Sequence, residues 1–113
     1  MADRELLEQA AKAAGIEKDV MSGLYRVPPL PDGSLISKTG GWNPLTDDGD
    51  ALRLAVKLNL SADFFDDEIC VGYTPNDNEC EQVSEPVSTD PYAATRRAIV
   101  KAAAEIGKGM KDE

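Results

Sequence analysis

The chain has 113 residues and a mass of 12.1 kDa, with 42% apolar and 29% charged residues and a formal net charge of -9. This is the balance of one globular domain, and surface scaling lets a chain of this size bury about two-thirds of its surface without disulfide or metal staples. It contains no His, which removes the commonest metal ligand and the usual neutral-pH proton shuttle; no apolar run approaches the ~20 residues of a membrane helix, and the polar opening MADRELLEQ predicts no signal peptide.

A first helix is expected from Asp3, read as its N-cap, to Gly15, which suits the left-handed C-terminal position. Leu6, Leu7, Ala10, Ala13 and Ala14 form its apolar stripe, with Ile16 beyond the stop as a Schellman contact. Leu24 to Val27 read as a short strand ended by Pro28, Pro29 and Pro31, Asp32-Gly33 as a turn, and Ser34 to Thr39 as a second short strand. Gly40-Gly41-Trp42-Asn43-Pro44-Leu45 leads into helix two, with Thr46 as N-cap and Asp47, Asp48 and Asp50 in the first turn. From Ala51 to Leu60 the apolar positions are 51, 52, 54, 55, 56, 58 and 60, and Asp50, Arg53 and Lys57 form the polar strip, so this helix is expected at the centre of the core.

Phe64-Phe65 and the acid run Asp66-Asp67-Glu68 precede a strand from Ile69 to Thr74, a turn from Pro75 to Asn78 and a returning strand from Glu79 to Val83. Ser84 to Thr89 reads as an extended connector. Asp90 caps the last helix, and Pro91 sits in its first turn, where the missing N–H costs nothing. Tyr92, Ile99 and Ile106 recur every seven residues, with Ala103 and Met110 on the same face, while Gly107 and Gly109 are expected to fray the end. The elements together predict an α/β (α+β) fold: three helices layered against a small, mostly antiparallel sheet of about four short strands, in a single domain over 1–113.

Charge is unevenly placed. Residues 1–42 carry five bases and six acids, residues 43–90 two bases and twelve acids, and residues 91–113 five bases and three acids. An acidic middle of this density repels nucleic acid and anionic membrane surfaces, and suits a partner with a basic surface.

Individual constellations carry little chemistry. Asp47-Asp48-Gly49-Asp50 lacks the alternating acids and the twelfth-position Glu of a calcium loop, and a helix cap explains it without a metal. Cys70 and Cys80 lie five residues either side of Pro75, so a hairpin in simple register sets them face to face; a reducing compartment keeps them as thiols. Without His, a Cys–His nucleophile is excluded, and no Gly-rich phosphate loop precedes a helix. No enzyme, cofactor or metal is expected. Trp42 beside Gly40-Gly41 reads either as a core plug or as a ledge on which a ligand ring stacks.

The stretch WNPLTDDGDALRLAVKL, Trp42 to Leu58, resembles the signature of the phage α/β/α (ABA) sandwich domain family, small proteins of tailed-phage and prophage genomes. ATRRAIVKAAAEIG, Ala94 to Gly107, is similar to that family's C-terminal helix, and RELLEQAAKAAGIE, Arg4 to Glu17, has the character of its first helix. Residues 18–41 and 59–93 fall in the family's variable part. The resemblance implies a phage origin and a sandwich fold; it implies no reaction and no catalytic residue. With no signal peptide expected, a phage protein is expected in the host bacterial cytoplasm.

Two functions follow as expectations. The first is a binding protein acting on a host or phage protein, an antagonist of bacterial defence such as an anti-CRISPR being the concrete form. Its contact surface is expected on the variable hairpin, at Asp63, Phe64, Asp66, Asp67, Glu68, Asp77, Glu79 and Glu81. The second is a small-ligand binder or sponge for a nucleotide signal, with Trp42, Tyr73 and Tyr92 stacking a base and Arg96 and Arg97 holding phosphate.

Overall fold

Good helix formers crowd both ends of the chain, and β-branched residues cluster between them. The computed structural model, which describes residues 2–36, 40–76, 79–87 and 89–110, turns this into α1 (Asp3–Ala14), α2 (Asp48–Lys57), β1 (Ser61–Phe64), β2 (Glu68–Asn76), β3 (Glu79–Pro86) and α3 (Pro91–Gly109). The result is an α+β fold, with an antiparallel sheet in the order β1-β2-β3.

The last helix is the hub. It packs against α1, α2, β2 and β3 and buries Ala94, Ala98, Ile99, Val100, Ala102, Ala103, Ala104 and Gly107. Alanines keep a helix thin, so neighbours approach it on several sides at once. The first helix lies beside it in the same sense. At one end Arg97 Nη1 donates to Asp3 Oδ1 at 2.7 Å, and at the other Lys12 Nζ donates to the Met110 carbonyl at 2.9 Å. Between these ties the Gln9 carbonyl oxygen occupies the place a Cβ on Gly107 would take. Gly107 therefore does not fray the helix; it is buried and lets α1 come close.

Helix two does not sit at the centre. Its buried residues are Asp50, Ala51 and Leu54, while Leu52 and Val56 face out. The inward stripe includes a charge: Asp50 accepts from the Asn43 backbone N–H and from Arg53 Nη2, both at 2.9 Å. This anchors the Asn43–Asp47 turn beneath the helix and rotates its other apolar side toward solvent.

The caps also differ from expectation at two points. Asp47, not Thr46, caps α2, its carboxylate accepting from Asp50 N–H at 2.9 Å. Ala2 precedes α1 without a side-chain cap, because Asp3 is already helical and its carboxylate is engaged by Arg97. Gly15 (φ 70) closes α1 as read, with Gly15 and Ile16 N–H groups returning to Lys12 and Ala11 carbonyls. Asp90 caps α3 through the N–H groups of Tyr92 and Ala93.

Three strands form where about four were expected. Leu24–Val27 contributes only the isolated bridge Lys18↔Tyr25; the following prolines prevent a ladder from extending. Residues 34–36 are not strand, and 37–39 lie outside the described residues. The strand at Ser61–Phe64 adds an edge that its sequence does not announce.

The hairpin register also shifts. Cys70 lies opposite Ser84 and Asp63, not Cys80. Pairing runs from Glu68↔Pro86 to Tyr73↔Glu81, then slips to Asn76↔Glu79. Pro75 falls at the slip, where a missing ladder N–H is tolerated. Of the turn expected at 75–78, Pro75 and Asn76 instead belong to β2, and residues 77–78 lie outside the described residues. Ile69 and Val71 face α3 and are buried; the opposite face carries exposed Ser61, Asp63, Gln82 and Ser84. The core joins Leu6, Trp42, Leu54, Ile69, Val71, Ile99 and Val100 in one cluster.

Three measurements check this packing. Gly107→Ala is expected to lose about 1–3 kcal/mol in urea denaturation because α1 must back away, whereas Gly109→Ala, with open space around it, holds or gains up to about 1 kcal/mol. In the native protein a thiol reagent is expected to modify exposed Cys80 quickly and buried Cys70 only after unfolding. Burial, with Glu68, Asp63 and Asp67 nearby, pushes the Cys70 thiol up, which slows its reaction further. Mild oxidation of the monomer should give no internal disulfide by mass.

Candidate apolar docking groove

The outward rotation of α2 leaves its second apolar side facing α3 across a groove of about 940 Å³. Leu52 and Val56, one turn apart, form one wall; Tyr92, Thr95, Arg96 and Ile99 form the other. Asn59 (φ 54) turns the chain out of α2, with Leu60 N–H returning to the Ala55 carbonyl. The strand that follows sends Ala62 and Phe64 to the groove side, and the short turn after it places Phe65 at the groove's end. That turn is held by Phe65 N–H on the Glu68 carbonyl and Val87 N–H on the Asp67 carbonyl.

Exposure is the notable property here. Leu52 is 64%, Val56 73%, Phe64 67%, Phe65 55% and Tyr92 71% accessible. Single exposed apolar residues are ordinary on a folded surface; five large ones around one concavity are not.

Acids border this apolar surface. Asp48 lines the groove, and Asp66 and Asp67 directly follow Phe65. Among the described residues Arg96 is the one cationic side chain of the lining, and it is already engaged: Nη1 donates to Asp48 at 2.6 Å and Nε to the Leu45 carbonyl at 2.9 Å. The Thr95 hydroxyl donates to the Pro91 carbonyl. What remains for a ligand is apolar contact.

The fold divides the acidic middle of the chain into two groups. Asp48, Asp50 and Glu85 are neutralised internally, by Arg96, by Arg53 and by Arg97 with Lys101. Asp63, Asp66, Asp67, Glu68 and Glu81 are exposed and pair with no cation among the described residues.

The eight hairpin residues expected to form one contact surface are not brought together. Phe64 lines the groove and Asp66 and Asp67 follow Phe65 in the chain, Asp67 near enough to Cys70 to act on its thiol, while Asp63 and Glu68 share the opposite face of the sheet with Cys70, whose Sγ lies 3.7 Å from Glu68 Oε1. Glu81 pairs with Tyr73 farther along the sheet. There burial, then Glu105 and Glu81, raise the Tyr73 phenol. Glu79 pairs in register with Asn76, and Asp77 lies outside the described residues. The two-residue period of a strand separates neighbours in sequence onto opposite faces.

The ligand-stacking set is dispersed as well. Trp42 is 3% exposed, its ring edge-on to Tyr25 at 6.0 Å and its backbone N–H donating to the Tyr25 carbonyl. A Cβ on Gly41 would stand 2.6 Å from that same carbonyl, so this glycine serves a close backbone approach rather than a ledge. Arg97 is held by Asp3 and Glu85, an arrangement that raises its guanidinium pKa chiefly through the Asp3 hydrogen bond. Of this set only Tyr92 and Arg96 line the groove. Among the described residues no three His, Cys, Asp or Glu side chains stand close enough to hold a metal, and no helix is long and apolar enough to cross a membrane.

Leu52, Val56 and Phe65 are the groove residues that the sequence reading passed over. The available signal was a helix apolar on nearly every side: such a helix is either enclosed or keeps one face for a partner.

Comparisons with family models, with curated proteins and with solved structures give no match to this chain.

Proposed function

We propose that this chain is a non-enzymatic binding protein that acts on a host or phage protein and docks it in the groove between α2, α3 and the β1–β2 turn. The observation that carries this reading is the gathering of Leu52, Val56, Phe64, Phe65 and Tyr92, each more than half exposed, around one concavity. Covering one such side chain stabilises a complex by up to about 1.5–3 kcal/mol, so a partner that fills the groove gains strongly. The resemblance of Trp42–Leu58 to the phage sandwich family supports a phage origin, with an antagonist of bacterial defence, for example an anti-CRISPR, as the concrete form. The exposed Asp63, Asp66 and Asp67 favour a partner with a basic surface and disfavour direct nucleic-acid binding. A nucleotide-binding role has less support, because Trp42 is enclosed and Arg96 and Arg97 are engaged in ion pairs.

Retrieval of a partner from bacterial lysate at physiological salt tests the proposal. The wild-type chain and Gln82→Ala, on the far face of the sheet, are expected to retain one discrete protein that Val56→Asp loses. Equal retrieval by all three, or none by any, overturns it.

A further inference from the structure

We infer that the occupant of the groove is an amphipathic helix of the partner, with Lys or Arg beside its apolar stripe; this deepens the docking reading above and rests on it. Both walls are helical, and both present side chains at one-turn spacing: Leu52 and Val56 on α2, Tyr92 and Arg96 on α3. Ridges spaced by one turn accept the i, i+3/i+4, i+7 ridges of an incoming helix. The sheet end, with Phe64 and Phe65, closes one side and gives the helix an aromatic stop.

Charge selects among possible occupants. Asp66 and Asp67 follow the lining residue Phe65 in the chain, are exposed and meet no described cation, and the lining cation Arg96 is taken by Asp48. A basic flank on the incoming helix meets these carboxylates. A second copy of this chain brings the same carboxylates against their own kind, at a net charge of -9 each, which disfavours a symmetric dimer.

The experiment uses two labelled 18-residue peptides sharing one leucine stripe at i, i+3, i+4 and i+7, one with Lys and the other with Glu at the flanking positions. Binding to the full chain is followed by fluorescence polarisation. The Lys helix is expected to bind at least about tenfold tighter than the Glu helix. Val56→Asp should abolish that binding even though it adds a negative charge, a result that separates groove docking from diffuse attraction. The pair Asp66→Lys and Asp67→Lys should weaken the Lys helix about tenfold and narrow its advantage over the Glu helix. Val56 is exposed, and circular dichroism should show each variant folded.

Equal affinity for the two peptides overturns the basic flank, and binding of the Lys helix that survives Val56→Asp overturns the site. If neither peptide binds while lysate retrieval still depends on Val56, the helical occupant is overturned and the docking groove stands. If retrieval also fails, both fall. Concentration-dependent dimerisation abolished by Val56→Asp, seen by sedimentation, overturns the partner helix in favour of a second copy.

Discussion

The arrangement depends on how closely other elements approach α3. Large side chains along that helix would hold its neighbours at ordinary interaxial distance, and only one or two would fit. With Ala98, Ala102, Ala103 and Ala104 fully buried and Gly107 against the Gln9 carbonyl, α3 touches two helices and two strands. Most of its length is thereby enclosed, though it carries few large apolar groups. The larger apolar volume comes from the surroundings: Leu6 from α1, Leu54 from α2, and Ile69 and Val71 from the sheet.

This economy at the centre has a consequence at the side. With α1 and the sheet already against α3, the second helix meets it along a narrower stripe and is anchored by the buried Asp50, held by the Asn43 N–H and Arg53. A buried carboxylate without such partners is strongly unfavourable, so the anchor restricts how α2 can rotate. Leu52 and Val56 then have no internal surface to cover them. The groove is the outward side of the same packing solution that forms the core.

The cations of the last helix serve cohesion. Arg96, Arg97 and Lys101 reach Asp48, Asp3 and Glu85, which come from three different elements. Each exposed pair is worth little on its own, but together they align α1, the α2 start and β3 around α3. The negative potential left at the surface is therefore narrower than the composition suggests, lying with Asp63, Asp66, Asp67 and Glu68 around the β1–β2 turn and with Glu81 farther along the sheet. Asp66 and Asp67 directly follow Phe65 of the apolar groove.

Features decided within a few residues are legible along the chain: the Gly15 stop of α1, the Asp90 cap with Pro91, the hairpin character of residues 68–86 and the absence of His chemistry. These follow from backbone geometry and local hydrogen bonding, which neighbours in the chain settle among themselves. Tertiary structure alone decided which apolar face of α2 is covered, that Gly107 is a contact rather than a fraying end, that the hairpin slips at Pro75 so that Cys70 meets Ser84, and that Phe64 and Phe65 join Leu52, Val56 and Tyr92. Each of these depends on which distant surface arrives first to exclude water, and residues 52, 64 and 92 carry no sign of one another along the chain.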